Sequence, residues 1–80
     1  MNTVKYYRKI CNLTQEDIAK KMGMSVNSYS NKELGKSQFT KEEMISFEKI
    51  VCQTVSNISI LDIFFTDKLQ KLQIKSEVNR

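Results

Sequence analysis

Residues 13–29 read LTQEDIAKKMGMSVNSY and contain the strongest local signals in the chain. Thr14 can cap the N-terminus of a helix, because its side chain and that of Asp17 three residues later form a capping box. Gly23 tolerates the left-handed backbone that ends a helix. Ser25 can then cap a second helix two residues further on. The stretch therefore predicts two helices joined by a tight turn.

The second of these helices has a very polar surface. Only Val26 and Tyr29 are clearly apolar in it, and the remaining side chains are short or basic, namely Asn27, Ser28, Ser30, Asn31 and Lys32. A helix this polar gains little from burial, so its outward side chains indicate a function. Two helices joined in this way can place the second in the major groove of DNA, which is about 12 Å wide and whose base edges Asn and Ser can read.

The flanking sequence predicts three further helices and an all-α fold. Proline is absent and glycine occurs twice, so few residues interrupt the helical spacing of apolar side chains. The first helix should cover residues 3–11 and end at Asn12, which tolerates a left-handed conformation. The fourth helix should open at Thr40, which forms a capping box with Glu43. The fifth should open at Ser59, which with Asp62 gives an approximate box.

We expect one domain at residues 1–66, followed by a C-terminal extension at residues 67–80. The extension fits a helix, which is the favoured interpretation, but Leu72 and Ile74 equally fit a short edge strand. The fifth helix is too apolar for one narrow buried stripe, so part of its surface should contact something beyond the monomer. The residues predicted to take part in dimerisation are Phe64, Phe65, Leu69 and Leu72.

Composition excludes several classes of function. The chain has 80 residues, no histidine and a net charge of +4, from 13 Lys and Arg against 9 Asp and Glu. Without histidine there is no Ser-His-Asp triad and no His-ligated metal. Cys11 and Cys52 are too few for a four-ligand zinc site and are predicted to be reduced, inert thiols. We therefore expect no enzyme, no cofactor and no metal, and the lack of a signal peptide or a transmembrane span predicts a cytoplasmic protein.

The combined pattern resembles the phage repressor and Cro-like helix-turn-helix regulators, also called the xenobiotic-response-element family. The resemblance covers roughly residues 4–65 and rests on positions that stand where the family has them, namely Leu13-Thr14-Gln15, Ala19, Gly23, Ser25 and the ending Glu33-x-Gly35-Lys36. Residues 27–33, together with Phe39-Thr40 and residues 62–65, are similar to the short Cro-type regulators of phages from Gram-positive bacteria. The resemblance implies a five-helix, lambda-repressor-like domain.

The resemblance also implies which residues would contact DNA. Gln15 stands where the family touches the DNA backbone, and the first turns of the third helix stand where the family reads bases. Asn27 and Asn31 are one turn apart, so both can reach the groove and bond adenine. Lys32 and Lys36 suit phosphates. The full implied set is Gln15, Ser25, Val26, Asn27, Ser28, Asn31, Lys32 and Lys36.

Arg8 and Glu33 stand at the positions of a buried ion pair that joins the first and third helices in the family. Removing one partner of such a pair leaves a buried charge and costs about 3–5 kcal/mol. The chain departs from the family pattern at two positions in this region. Asn12 replaces the usual glycine before Leu-Thr-Gln, and Lys32 stands where many members have an apolar residue.

These residues predict a sequence-specific transcriptional regulator that binds double-stranded DNA and acts by occupying an operator. A homodimer on a pseudo-palindromic operator would place its half-sites near one helical turn apart. No small-molecule ligand and no membrane contact are expected, and the setting would be the nucleoid of a bacterial host cell. The alternative is a protein-interaction module, an antirepressor or antitoxin, which would bind its partner without the polar residues of the third helix.

Overall fold

The structure, a computed structural model, describes residues 2–65, which form five α-helices and no strand. The predicted all-α, five-helix fold is therefore confirmed. The C-terminal extension, including Leu69 and Leu72, and the domain boundary predicted at residue 66 lie outside the described residues. None of the helices within residues 2–65 has the length and apolarity needed to cross a bilayer. The helices are α1 Thr3–Ile10, α2 Gln15–Met22, α3 Val26–Glu33, α4 Lys41–Cys52 and α5 Ile60–Phe64.

The three predicted capping boxes form, and they set where α2, α4 and α5 begin. Thr14 Oγ1 accepts a hydrogen bond from the backbone N–H of Asp17 at 3.0 Å, and Asp17 Oδ2 accepts from the N–H of Thr14 at 2.9 Å. Each box satisfies two donors that the first turn of a helix would otherwise leave unpaired. The same reciprocal arrangement occurs at the pairs Thr40–Glu43 and Ser59–Asp62.

Left-handed residues follow α1 and α2, as predicted. Asn12 has φ +59° and Gly23 has φ +71°. Helix α1 ends at Ile10, one residue earlier than predicted, and Cys11 forms its cap. The turn at Gly23 brings α3 against α2, so the backbone conformation at residue 23 helps to set the direction of α3.

The core is assembled mainly by α2, α4 and α5. Helix α2 packs against α3 and α4, while α5 packs against α1 and α4. Phe39, in the loop between α3 and α4, has its ring centroid 6.1 Å from that of Tyr29 and 6.3 Å from that of Phe47. The buried apolar residues are Ile18, Ala19, Tyr29, Phe39, Phe47, Val51 and Ile63.

Phe64 packs against this core, while its predicted role in dimerisation stays a prediction. Its ring centroid lies 5.2 Å from that of Phe39 and 5.6 Å from that of Phe47, and its side chain is half-buried. Helix α5 has only five residues, so it can pack on α1 and α4 only by turning most of its apolar side chains inward. Leu61 takes the outward position and is 55% exposed, while Phe65 is half-buried.

Asn12→Ala should destabilise the fold by about 1 kcal/mol, because alanine lacks the local hydrogen bonding that lets asparagine adopt a positive φ. Asn12→Gly should keep the free energy of unfolding within about 0.5 kcal/mol of the wild type, since glycine adopts this φ without a steric penalty. Urea unfolding followed by circular dichroism measures both variants. Gln53→Ala, at an exposed position with φ −67°, is the matched control. If Asn12→Ala and Gln53→Ala lower the free energy of unfolding equally, the positive φ at residue 12 is not the cause of the loss.

Candidate nucleic-acid interface

Helix α3 has one face inside the fold and one face in solvent. Tyr29 and Glu33, one turn apart, are buried and hold the helix against the rest of the domain. The predicted base-reading residues lie elsewhere on the helix surface, and the structure brings them together there. Ser25, Val26, Asn27, Ser28 and Asn31 are all exposed.

The start of α3 is closed by Ser25, whose Oγ accepts a hydrogen bond from the backbone N–H of Ser28 at 3.1 Å. A hydroxyl can accept and donate at once, so this cap leaves the Ser25 hydroxyl hydrogen free to donate outward. Ala19, which is 2% exposed, lies in the packed region that α2 shares with the core. Its small side chain suits the close packing of α2 against α3.

The carboxylate of Glu33 holds α3 in place from inside the domain. Arg8 Nε donates to Glu33 Oε2 at 2.7 Å and Arg8 Nη2 donates to Oε1 at 3.2 Å, so the ion pair expected from the sequence is present. Tyr29 Oη donates to Oε2 at 2.6 Å, and Gln15 Nε2 donates to Oε1 at 2.9 Å. Four donors from α1, α2 and α3 therefore meet at one carboxylate.

Two further hydrogen bonds tie the same region to the backbone. Arg8 Nη1 donates to the carbonyl of Leu13 at 2.8 Å, and Asn2 Nδ2 donates to the carbonyl of Glu33 at 2.8 Å. The first connects α1 to the turn before α2, and the second connects the start of α1 to the end of α3. The orientation of α3 is thus fixed at its C-terminal end by both side-chain and backbone groups.

A helix-turn-helix family model matches residues 4–50, which is more than half of the chain. The chain belongs to the Cro/C1-type helix-turn-helix family. Its α2, the turn at Gly23 and its α3 are the helix-turn-helix unit, and the family resemblance seen in the sequence is confirmed.

A relative with a matching segment comes from Methanocaldococcus jannaschii and is named as an uncharacterized HTH-type transcriptional regulator. The two proteins are 54% identical over 35 residues, which is 44% of this chain and 53% of the relative. This chain therefore spans about half the length of the curated relative it matches. No solved structure matches the chain.

Within this helix-turn-helix domain, Gln15 is half-buried and its amide faces Glu33. The Gln15 side chain would therefore have to contact the DNA backbone while it keeps its hydrogen bond to Glu33. A primary amide carries two donor hydrogens, so one remains after Glu33 has taken the other. The bond to Glu33 thereby orients the Gln15 amide, which the family resemblance predicts to contact the DNA backbone.

Lys32 is half-buried, and its predicted phosphate contact would compete with an internal ion pair. Its side chain is only 16% exposed, and its Nζ donates to Glu43 Oε1. The same oxygen accepts the backbone N–H of Thr40 at 2.8 Å, so one carboxylate caps α4 and binds α3. Many family members have an apolar residue at this position. In this chain the ion pair of Lys32 with Glu43 joins α3 to α4 instead.

Lys36 is exposed just beyond the end of α3, as a phosphate contact requires. Gly35 has φ +86° and turns the chain, after which the backbone N–H of Lys36 donates to the carbonyl of Asn31 at 2.8 Å. Other exposed lysines on α2 and at the start of α4 are Lys20, Lys21 and Lys41.

Two residues of this region, Glu43 and Leu34, were not among the site residues predicted from the sequence. Glu43 is recognisable in sequence as a helix cap, but its bond to Lys32 joins residues 11 positions apart and has no local signal. Leu34 follows α3 and is 63% exposed. Leu34 follows Asn31 by three residues and Asn27 by seven, and this spacing is the sequence signal that places it on the same face of the helix.

The described part of the chain offers no site for a metal. Among residues 2–65, no group of three or more Cys, Asp or Glu side chains is close enough to hold an ion. Cys11 is half-buried and Cys52 is exposed, and both are free thiols.

The buried carboxylate makes the stability of the fold depend on pH. Burial alone would raise the pKa of Glu33, but the hydrogen bonds from Arg8, Tyr29 and Gln15 outweigh it and hold that pKa below its usual value. Glu33 therefore stabilises the fold above the pKa it has in the unfolded chain. This contribution is lost as the pH falls through the folded-state pKa. Tyr29 stays protonated as a donor, because burial and its bond to Glu33 raise the pKa of its phenol.

Tyr29→Phe should lower the free energy of unfolding by about 1.5–3 kcal/mol at pH 7, since it removes a hydrogen bond to a charged group. The difference from the wild type should narrow as the pH falls from about 6 to about 3, because a protonated Glu33 no longer benefits from that donor. Urea unfolding across this range measures the difference. Tyr6→Phe, at a tyrosine that is 47% exposed, should match the wild type at each pH. A difference for Tyr29→Phe that stays constant with pH would count against the bond to ionised Glu33.

Proposed function

We propose that the protein is a sequence-specific transcriptional regulator that binds double-stranded DNA with α3 in the major groove and acts by occupying an operator, as the Cro-like repressors of phages do. The observation that carries this proposal is the two-sided α3, whose polar face is exposed while Tyr29 and Glu33 are buried. Membership of a helix-turn-helix family supports it. The name of the archaeal relative, an HTH-type transcriptional regulator, also supports it.

Base recognition is assigned to the exposed side chains of α3. Asn27 and Asn31 are exposed and one turn apart, and each can bond N6 and N7 of an adenine in bidentate fashion. Val26 is 39% exposed and can pack against a thymine methyl group. Ser25 and Ser28 lie at the start of the helix and contribute single hydrogen bonds.

Contacts to phosphate position the domain and supply affinity that depends on salt. Lys36 is exposed at the end of α3, and the second amide hydrogen of Gln15 lies at the start of α2. The N-termini of α2 and α3 add unpaired backbone N–H groups and the positive end of the helix dipole. The net charge of +4 favours the same partner.

A homodimer on a pseudo-palindromic operator would double the contact that one α3 can make. Leu61 is 55% exposed and lies on α5, next to the half-buried Phe65, and we place the interface at this end of the domain. Leu69 and Leu72 complete the proposed interface from outside the described residues. Binding to an operator would place the protein on the nucleoid of its host cell and would need no cofactor.

A protein-interaction module is the second candidate, and the exposed apolar side chains of α1 and α5 favour it. Tyr6 is 47% exposed, Ile10 is 42% exposed and Leu61 is 55% exposed. Binding of a protein partner through this surface would be lost on changes at Leu61 and would survive changes at Asn27 and Asn31.

Selection of bound duplexes from a random library, scored at two salt concentrations, tests the proposal. We expect a motif with two-fold symmetry, because each protomer reads one half-site. Weak retention that depends on salt and enriches no motif would instead indicate a generic basic surface. In that case the protein-interaction module would become the leading function.

Asn27→Ala should weaken binding to the selected operator about 5- to 150-fold and relax the base preference at one position per half-site, as expected for loss of about 1–3 kcal/mol. Repeating the selection with the variant measures both effects. Gln53→Ala removes an exposed amide from the end of α4 and should change neither. An unaltered motif for Asn27→Ala would remove this residue from base recognition.

Lys36→Ala should lower the affinity for every duplex sequence and reduce the slope of log K against log salt by about one, because one phosphate contact is lost. Fluorescence anisotropy titrations at four or more salt concentrations measure the slope. Lys49→Ala removes an exposed lysine from the last turn of α4 and is the matched control. If the two variants have the same slope, Lys36 does not contact phosphate.

A further inference from the structure

Leu34 is an apolar side chain that the fold leaves in solvent. It is 63% exposed, the largest exposed fraction of any large apolar side chain within residues 2–65. It directly follows α3, with φ −76° and ψ −11°, and its backbone N–H donates to the carbonyl of Ser30 at 3.0 Å. Leu34 therefore continues the helical geometry of α3 by one residue, and its direction follows from the helix.

The helical spacing places Leu34 with the proposed base-reading residues. At about 100° per residue, Asn27, Asn31 and Leu34 fall within about 60° of one another around the helix axis. The buried Tyr29 and Glu33 lie on the far side of the same helix. Leu34 also lies about 4.5 Å beyond Asn31 along the axis. It therefore extends the reading face of α3 by almost one turn.

The backbone on both sides of Leu34 is held in place. The carbonyl of Glu33 accepts the side-chain amide of Asn2 at 2.8 Å, and the N–H of Lys36 donates to the carbonyl of Asn31 at 2.8 Å. Gly35, with φ +86°, ends the helix immediately after Leu34. These bonds fix the position of the Leu34 backbone.

Leu34 also edges a groove of about 720 Å³, whose apolar lining includes Val4, Phe39 and Phe65. The groove covers only part of the side chain, since 63% of it remains exposed. Along the chain, Leu34 lies between Asn31 and Lys36, the residues proposed to meet a base and a phosphate. Along the major groove the apolar group available to such a side chain is the C5 methyl of thymine.

We infer that Leu34 packs against a thymine C5 methyl at the edge of each half-site and sets a preference for thymine there. The inference rests on the proposed function, because it requires α3 in the major groove. Burial of one methyl group corresponds to about a four-fold change in affinity. Leu34 would thus add an apolar contact beside the hydrogen bonds of Asn27 and Asn31.

Single replacement of each operator thymine by deoxyuridine, which lacks the C5 methyl, tests this contact. Affinities of the wild type and of Leu34→Ala for each duplex are measured by fluorescence anisotropy. For the wild type, one replacement at the half-site edge should weaken binding about four-fold. For Leu34→Ala, the same replacement should have no effect, and Leu34→Met should retain the wild-type sensitivity.

Ile10→Ala is the matched control, because Ile10 is also an exposed aliphatic residue, 42% accessible, but lies on α1. It should show the deoxyuridine profile of the wild type. Thermal unfolding of Leu34→Ala should follow that of the wild type, as expected for a side chain that is mostly exposed. This comparison separates a lost DNA contact from a lost fold.

Several results would overturn the inference. A deoxyuridine profile that is the same for Leu34→Ala and the wild type would exclude the methyl contact, as would an operator with no thymine at that edge. Equal weakening of all duplexes by Leu34→Ala would indicate packing against deoxyribose, and a changed dimerisation constant alone would assign Leu34 to an interface between copies. If the wild type binds no operator, the proposed function fails as well. If the wild type binds an operator but the effect of deoxyuridine does not depend on Leu34, only this inference fails.

Discussion

The carboxylate of Glu33 is the group on which the arrangement of the first three helices depends. It is buried, and it accepts hydrogen bonds from Arg8 of α1, Gln15 of α2 and Tyr29 of α3. A buried charge with so many donors is stable only while all of them are in place. The same group that stabilises the fold therefore fixes the angle at which α3 leaves it, and this angle determines what the outer face of α3 can reach.

Helix α3 combines two roles that use different side chains. Its inner side chains, Tyr29 and Glu33, hold it to the domain, and Lys32 joins it to α4 through Glu43. Asn27 and Asn31, by contrast, are exposed. Rigid support beneath a polar face keeps its side chains in register with a fixed partner such as the edges of stacked bases. Gln15 links the two roles, because one of its amide hydrogens bonds Glu33 and the other remains for the proposed contact with DNA.

Much of the fold could be predicted because its signals are local. The capping boxes at Thr14, Thr40 and Ser59 and the left-handed residues Asn12 and Gly23 each depend on a few neighbouring residues, and the structure contains all of them. The pair between Arg8 and Glu33 spans 25 residues and was accessible only through the family resemblance. The ion pair of Lys32 with Glu43 and the contact of Phe64 with Phe39 were not predicted, since residue type alone does not show whether a lysine meets an internal carboxylate or a phenylalanine meets the core.

Composition, periodicity and short motifs were sufficient to establish an all-α domain, its helix starts and the polar character of α3, because these properties depend on residue type and spacing along the chain. Packing between distant segments settled the rest. It buried Lys32 against Glu43, drew Phe64 onto Phe39 and Phe47, and left Leu34 and Leu61 in solvent. Whether a side chain is buried depends on which helices pass over it, and that information appears only when all five helices have packed together.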